Sequence, residues 1–211
     1  MSSDNLIPGF RGILGPMFSG KTTTLFALLR KHIAAGHRTA LLSPRADTQN
    51  LEEHLLKTHD QVPMTATRIQ TLEDALHAVG LFNRTRSVAM EPMIAPSPYL
   101  AIGIDEGQFV SFLPELLSAI EQACDMTQTF VYISALSGDF QRKLFPVMEK
   151  VAGLLGNNIH LTAVCKNCPS LNAPYSHRIV PGTEQYMPGA EDKYISVCHT
   201  CWVKLNPKKT R

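Results

Sequence analysis

Apolar positions in this chain fall alternately into short continuous runs and into stretches with helical spacing. Residues 10–15 (FRGILG) read as a short strand feeding a Gly-rich loop. From Lys21 to Ala35 the residues Leu25, Leu28, Leu29 and Ile33 recur on one helix face, and Gly36 follows as a C-terminal stop. A second strand is predicted from Arg38 to Leu42, ending before Pro44. Periodicity is poor between Ser43 and Gln61, which predicts a mobile or partly helical insertion. Met64 to Ile69 reads as a third, weaker strand, and Thr71 to Val79 as a helix whose Thr71 and Asp74 are placed for a capping box.

Residues 90–98 carry prolines at 92, 96 and 98 and read as a connector. Tyr99 to Ile104 is a continuous apolar run, the profile of a strand buried on both faces. Helix 113–123, strand 129–136, helix 145–155 and strand 159–164 complete the alternation. Parallel neighbours need a crossover between them, so the pattern predicts an α/β fold with a mostly parallel sheet flanked by helices. After Cys165 the texture changes to Pro, Gly, Asn and paired cysteines. The expected division is a core domain over 1–164, a small second domain over 165–205 and a tail over 206–211.

At 211 residues and 44% hydrophobic content the chain can bury one substantial core with an appendage. Twenty basic against 18 acidic residues leave a formal charge of +2, too small for a footprint on nucleic acid or an anionic membrane. Lys208, Lys209 and Arg211 read as a solvated tail. No apolar stretch approaches the roughly 18 residues of a membrane span, and the first residues lack a signal-peptide pattern. A cytoplasmic protein is expected, binding neither membrane nor nucleic acid.

The stretch GPMFSGKTTT fits G-x-x-x-x-G-K-[ST] through Gly15, Gly20, Lys21 and Thr22, with a predicted strand before it and a helix after it. Converging backbone N–H groups and the positive end of a helix dipole can cradle phosphate oxygens. Lys21 then supplies a point charge toward the β- and γ-phosphates, and the Thr22 hydroxyl can coordinate Mg²⁺.

In AIGIDEGQF, Asp105 and Glu106 stand at the C-terminal end of the buried strand, where open α/β sheets bind their ligands. Neighbours on a strand point to opposite sides, so the two acids need not share a task. Asp105 is expected to hold the Mg²⁺ of a nucleotide, leaving Glu106 to face an acceptor as a base. An ATPase in which this pair activates water fits the strand-end pattern equally well.

Cys165-x-x-Cys168 and Cys198-x-x-Cys201 are separated by 29 residues, while the fifth cysteine, Cys124, stands alone in a helical pattern. Two such knuckles complete a tetrahedral thiolate shell of the kind Zn²⁺ prefers, with no open position for catalysis. Zinc ribbons are common in nucleic-acid proteins, but only scattered basic residues lie between these knuckles.

Taken in order, GPMFSGKTTTL, AIGIDEGQF, ALSGDFQRKLF, LTAVCKNC, GTE and DKYISVCHTCW resemble the type II, cytosolic thymidine kinases, over residues 10 to 202 or so. The resemblance implies a P-loop (RecA-like) core with a small C-terminal zinc-binding lasso domain. It implies transfer of the γ-phosphate of ATP to the 5′-hydroxyl of thymidine, giving ADP and dTMP for salvage, with deoxyuridine accepted as well. Glu106 is then the general base. Gly15, Pro16, Met17, Phe18, Ser19, Gly20, Lys21 and Thr22 serve ATP and Mg²⁺, together with Asp47, Asp105, Glu106, Gly107, Gln108 and Arg142. The implied thymine pocket comprises Met17, Phe109, Leu136, Phe140, Phe145, Ser176 and Tyr194. Main-chain atoms of Gln185, Tyr186, Met187, Pro188 and Gly189 are implied to bind the base edge. Structural zinc on Cys165, Cys168, Cys198 and Cys201, feedback inhibition by dTTP and a homotetramer complete what the family implies.

The chain departs from the family pattern in three places. The family's Asp-Thr-Arg is Asp47-Thr48-Gln49 here, so an arginine expected near the phosphates is absent, with Arg45 and Arg142 as candidate replacements. The lasso between GTE and DKY is short and carries Glu191 before Asp192. Residues 45–70 share little with the family beyond Thr58-His59-Asp60.

Overall fold

The computed structural model describes residues 7–44, 55–58, 61–81 and 97–207. Asp47, Arg45, Gln49, most of the 90–98 connector and the basic end of the tail lie outside them. A six-stranded sheet runs in the order β5-β2-β6-β7-β1-β8, built from β1 (Gly9–Gly15), β2 (Thr39–Pro44), β5 (Thr67–Ile69), β6 (Ala101–Ile104), β7 (Phe130–Leu136) and β8 (Ile159–His160). Every pairing in it is parallel.

Side-chain alternation divides the core into two layers. Leu42, Ile102, Ile104, Val131 and Ile133 point to the face covered by α2 (Leu72–Ala78), α3 (Leu113–Ala123) and α4 (Pro146–Val151). Leu41, Ala101 and Tyr132 point to the opposite face, under Leu25, Phe26 and Leu29 of α1 (Lys21–Ala34). The antiparallel pair β3 (Leu55–Lys57) and β4 (Pro63–Thr65) adds Leu56 and Met64 to that second layer. The capping box on α2 forms as its sequence predicts: Asp74 N–H donates to Thr71 Oγ1 at 3.1 Å, and Thr71 N–H donates back to the Asp74 carboxylate at 3.0 Å.

Several elements differ from expectation. The predicted strand 64–69 divides at Ala66, so β4 pairs outside the main sheet while β5 extends it. Residues 55–57 of the expected insertion are strand, not helix. Helix 145–155 ends at Val151: Gly153 is a weak helix former, and Asn157 turns the chain at φ 47°. Pairing of β8 stops at His160, after which Ala163 exchanges backbone hydrogen bonds with Ala173 at 2.9 and 3.0 Å. Beyond that bridge, β9 (Tyr175–Arg178) and β10 (Tyr194–Val197) form an antiparallel hairpin, followed by α5 (His199–Leu205). A separate small core of Ala163, Ala173, Val197 and three of the cysteines sits there.

Candidate active site

The sequence builds the site from the C-terminal ends of β1, β6 and β7. At the end of β1, a Cβ on Gly15 would stand 2.8 Å from the Leu161 carbonyl oxygen, so no larger residue fits that turn. Gly20 adopts φ 81° as the cap of α1 and makes no side-chain cap, leaving the first helical N–H groups free of one. Lys21 is buried, and its Nζ donates to the Pro16 carbonyl at 2.7 Å across the loop. Burial lowers its pKa, against the opposing pull of Glu106 and Asp105. Ser19 Oγ donates to the same carbonyl at 2.8 Å, and Met17 N–H donates to Ser176 Oγ at 3.0 Å.

β6 ends at Ile104, so the two acids are separated by a turn and not by strand alternation: Glu106 sits in the left-handed region at φ 51°. Asp105 is 3% exposed and accepts from Thr22 Oγ1 at 3.1 Å and from the Ser134 hydroxyl. Burial and then the neighbouring Glu106 charge push its pKa up to about 6, despite the hydrogen bonds from Ser134 and Thr22 and the Lys21 charge. Ser134 also accepts from Glu106 N–H at 3.4 Å. The Glu106 carboxylate is held by the Gln108 side-chain amide, whose carbonyl in turn accepts from Leu136 N–H at 3.0 Å.

These groups open into a cleft of about 880 Å³. On one side it is lined by Met17, Phe18, Gly20, Lys21, Thr22, Asp105 and Glu106. On the other stand Phe109, Leu136, Phe140, Phe145, Ser176 and Tyr194, with Gln185, Tyr186 and Gly189 from the segment joining β9 to β10. The Tyr186 and Phe109 rings meet at 4.2 Å between centroids. Gly15, Pro16, Ser19, Gly107 and Gln108 are not among the lining residues. Nor are Met187 and Pro188; Met187 N–H donates to the Tyr194 hydroxyl at 3.0 Å, and the Pro188 carbonyl accepts from Lys193 Nζ.

Arg142 is not brought to the cleft. A turn held by Asp139, with φ 66° at Arg142, directs its guanidinium onto the Trp202 ring at 3.7 Å. Among the described residues, the arginine that lines the cleft is Arg68 of β5, whose Nη1 donates to Ser43 Oγ at 3.0 Å. Sequence reasoning missed it, together with Ser43, Thr58, Gln61 and Ser134. Arg68 lies in the weakest of the predicted strands, and Ser134 reads as one polar residue in a core strand. The one available signal was the missing arginine at 49, which demanded a cation from elsewhere.

The four cysteines Cys165, Cys168, Cys198 and Cys201 bring their sulfurs within 4.8 Å of one another. Cys168 and Cys198 sulfurs are 3.7 Å apart, which matches the edge of a tetrahedron with Zn–S bonds of about 2.3 Å and is far longer than a disulfide. Burial raises the Cys165 thiol, but hydrogen bonds from backbone N–H groups led by Cys198 hold it down at about 6. The set fits a tetrahedral metal ion and could hold zinc.

A model of the family described as thymidine kinase matches residues 10–202. The chain belongs to the thymidine kinase family. It is 34% identical over 193 residues to thymidine kinase 1 of Dictyostelium discoideum, covering 90% of this chain and 75% of that one. The cytosolic thymidine kinase of Cricetulus griseus is 36% identical over 192 residues, 91% of this chain and 72% of the relative. Thymidine kinase of Fowlpox virus is 31% identical over 192 residues, 90% of this chain and 94% of its own. As a member of the family the chain is an enzyme, a nucleotide-binding kinase. No helix among the described residues is long and apolar enough to cross a membrane.

Proposed function

We propose that this chain transfers the γ-phosphate of ATP to the 5′-hydroxyl of thymidine, giving ADP and dTMP in nucleotide salvage. The observation that carries the reading is that Lys21, Thr22, Asp105 and Glu106 open into the same cleft as the aromatic wall of Phe109, Phe140, Phe145 and Tyr194. Phosphoryl transfer asks for alignment, charge neutralisation and a home for the hydroxyl proton. Residues Gly15 to Thr22 cradle the phosphates, and Lys21 with Arg68 supplies positive charge. Thr22 and Asp105 would hold Mg²⁺, which when bound would offset phosphate charge. Glu106, fixed by Gln108, takes the 5′-hydroxyl proton.

Apolar and aromatic groups bury the flat base, while Gln185 to Gly189 offer main-chain atoms to its edge. Deoxyuridine lacks a single methyl, so it binds with a loss of about 1 kcal/mol and remains a substrate. The four cysteines would hold zinc, which would fix both ends of the 165–205 domain without taking part in the chemistry. Feedback inhibition by dTTP, a homotetramer and a cytoplasmic location extend the same reading. The names of two related proteins from Bos taurus and Homo sapiens, both cytosolic thymidine kinases, support the last.

A coupled assay with ATP, Mg²⁺ and a panel of nucleosides tests the proposal. ADP release that requires thymidine or deoxyuridine is expected. ATP hydrolysis without nucleoside, stimulated by DNA, would overturn it.

A further inference from the structure

Arg178, the last residue of β9, is 6% exposed, yet no carboxylate pairs with it among the described residues. Its guanidinium lies on the Phe140 ring, 3.9 Å from the centroid. Nη2 donates to the Glu184 carbonyl at 2.6 Å, and more weakly to the Gln185 carbonyl and the Tyr194 hydroxyl, each at 3.3 Å. Nε and Nη1 are buried without a partner. A Cβ on Gly182 would stand 3.1 Å from Nη1, so the chain wraps closely around the guanidinium.

Burying a charge in this way is costly, and an apolar residue of similar length would be at least as stable. Stability therefore does not explain an arginine here. Its contacts do: Phe140, Gln185 and Tyr194 all line the cleft, and they come from three separate segments of the chain. Only a flat guanidinium can stack on a ring with its face while its edge donates to two consecutive carbonyls; a lysine ammonium offers the charge without the plane.

We infer that Arg178 is the positioning residue for the nucleoside half of the cleft, setting residues 184–185 of the lasso against Phe140 and Tyr194. It touches no phosphate-side group, so its effect falls on the acceptor nucleoside and not on ATP. The inference rests on the thymidine kinase reading given above.

The test compares wild type with R178M and R178K in the full chain, varying thymidine and ATP separately. Thermal unfolding and chymotrypsin cleavage after the exposed Tyr186 are measured alongside. R178M is expected to unfold at no lower temperature than wild type, to raise KM for thymidine about tenfold or more, and to leave KM for ATP within about twofold. Cleavage after Tyr186 should accelerate, and R178K should fall between the two. An unchanged KM for thymidine, or a parallel rise in both KM values, would overturn the inference. Should R178M fail to fold, R178K carries the same criterion. If wild type itself does not phosphorylate thymidine, the functional reading fails first, and the Tyr186 cleavage rates alone decide the positioning role.

Discussion

The backbone N–H of Met17 donates to Ser176 Oγ at 3.0 Å, tying the phosphate loop to β9 across 159 positions of sequence. Both residues line the cleft, so this bond sets the spacing between its phosphate side and its aromatic side. Ser176→Ala leaves the Met17 donor without its partner, at a cost of about 1 kcal/mol in urea unfolding. KM for thymidine should rise several-fold with zinc content unchanged. An unaltered KM would show that the two halves of the cleft are placed independently of this bond.

Glu106 is presented by a left-handed turn and gripped by Gln108. Glu106→Gln keeps an acceptor for that grip and removes only the ability to take a proton. The expected result is a fall in kcat of roughly 10²-fold or more with ATP binding retained. Near-normal turnover would remove Glu106 from the role of base.

Asp105 gives a pH dependence with a definite sign. Its folded pKa, about 6, lies above the ordinary 3.8 because burial and Glu106 disfavour the charge. The folded state therefore binds the proton more tightly than the unfolded chain. The resulting stabilisation is fully present below 3.8 and is lost as pH rises through about 6. Asp105→Asn, which carries no charge at any pH, should be more stable than wild type at pH 8 by up to about 3 kcal/mol, in the absence of metal and nucleotide. The advantage should shrink as pH falls below about 6. Denaturant titrations across that range check the prediction, and activity should be lost at every pH. Equal stability of the two proteins at pH 8 would mean that the carboxylate is not strained by its burial.

The site residues illustrate what was legible in the sequence. Lys21, Thr22, Asp105 and Glu106 were readable because their chemistry is local: each motif is a few consecutive residues whose spacing already implies a turn or strand end. The alternating runs gave the parallel sheet for the same reason. Yet the two acids diverge because β6 stops at Ile104, not because a strand alternates through them. Ser134 and Arg68 were invisible because their partners, Asp105 and Ser43, are distant in sequence and become neighbours only when β6, β7, β2 and β5 assemble. For Arg142 the resemblance implied a phosphate role, while the Asp139 turn points its guanidinium to Trp202.

The four-sulfur cluster holds together a region that has little else to do so. Apart from the cysteines, the buried apolar residues of its small core are Ala163, Ala173 and Val197, with Tyr194 buried beside the cleft, too few to stabilise a fold of this length unaided. Metal binding in such a region is folding free energy. Cys168→Ser should lose zinc, measured as metal content, and release both ends of the segment that carries Gln185, Tyr186 and Tyr194. Thymidine binding should then collapse while ATP binding at Gly15 to Thr22 survives, because α1 and β1 belong to the other core. Unfolding should split, with an early transition from the C-terminal region and a later one from the sheet. A zinc-free variant with full activity would contradict a structural role for the metal.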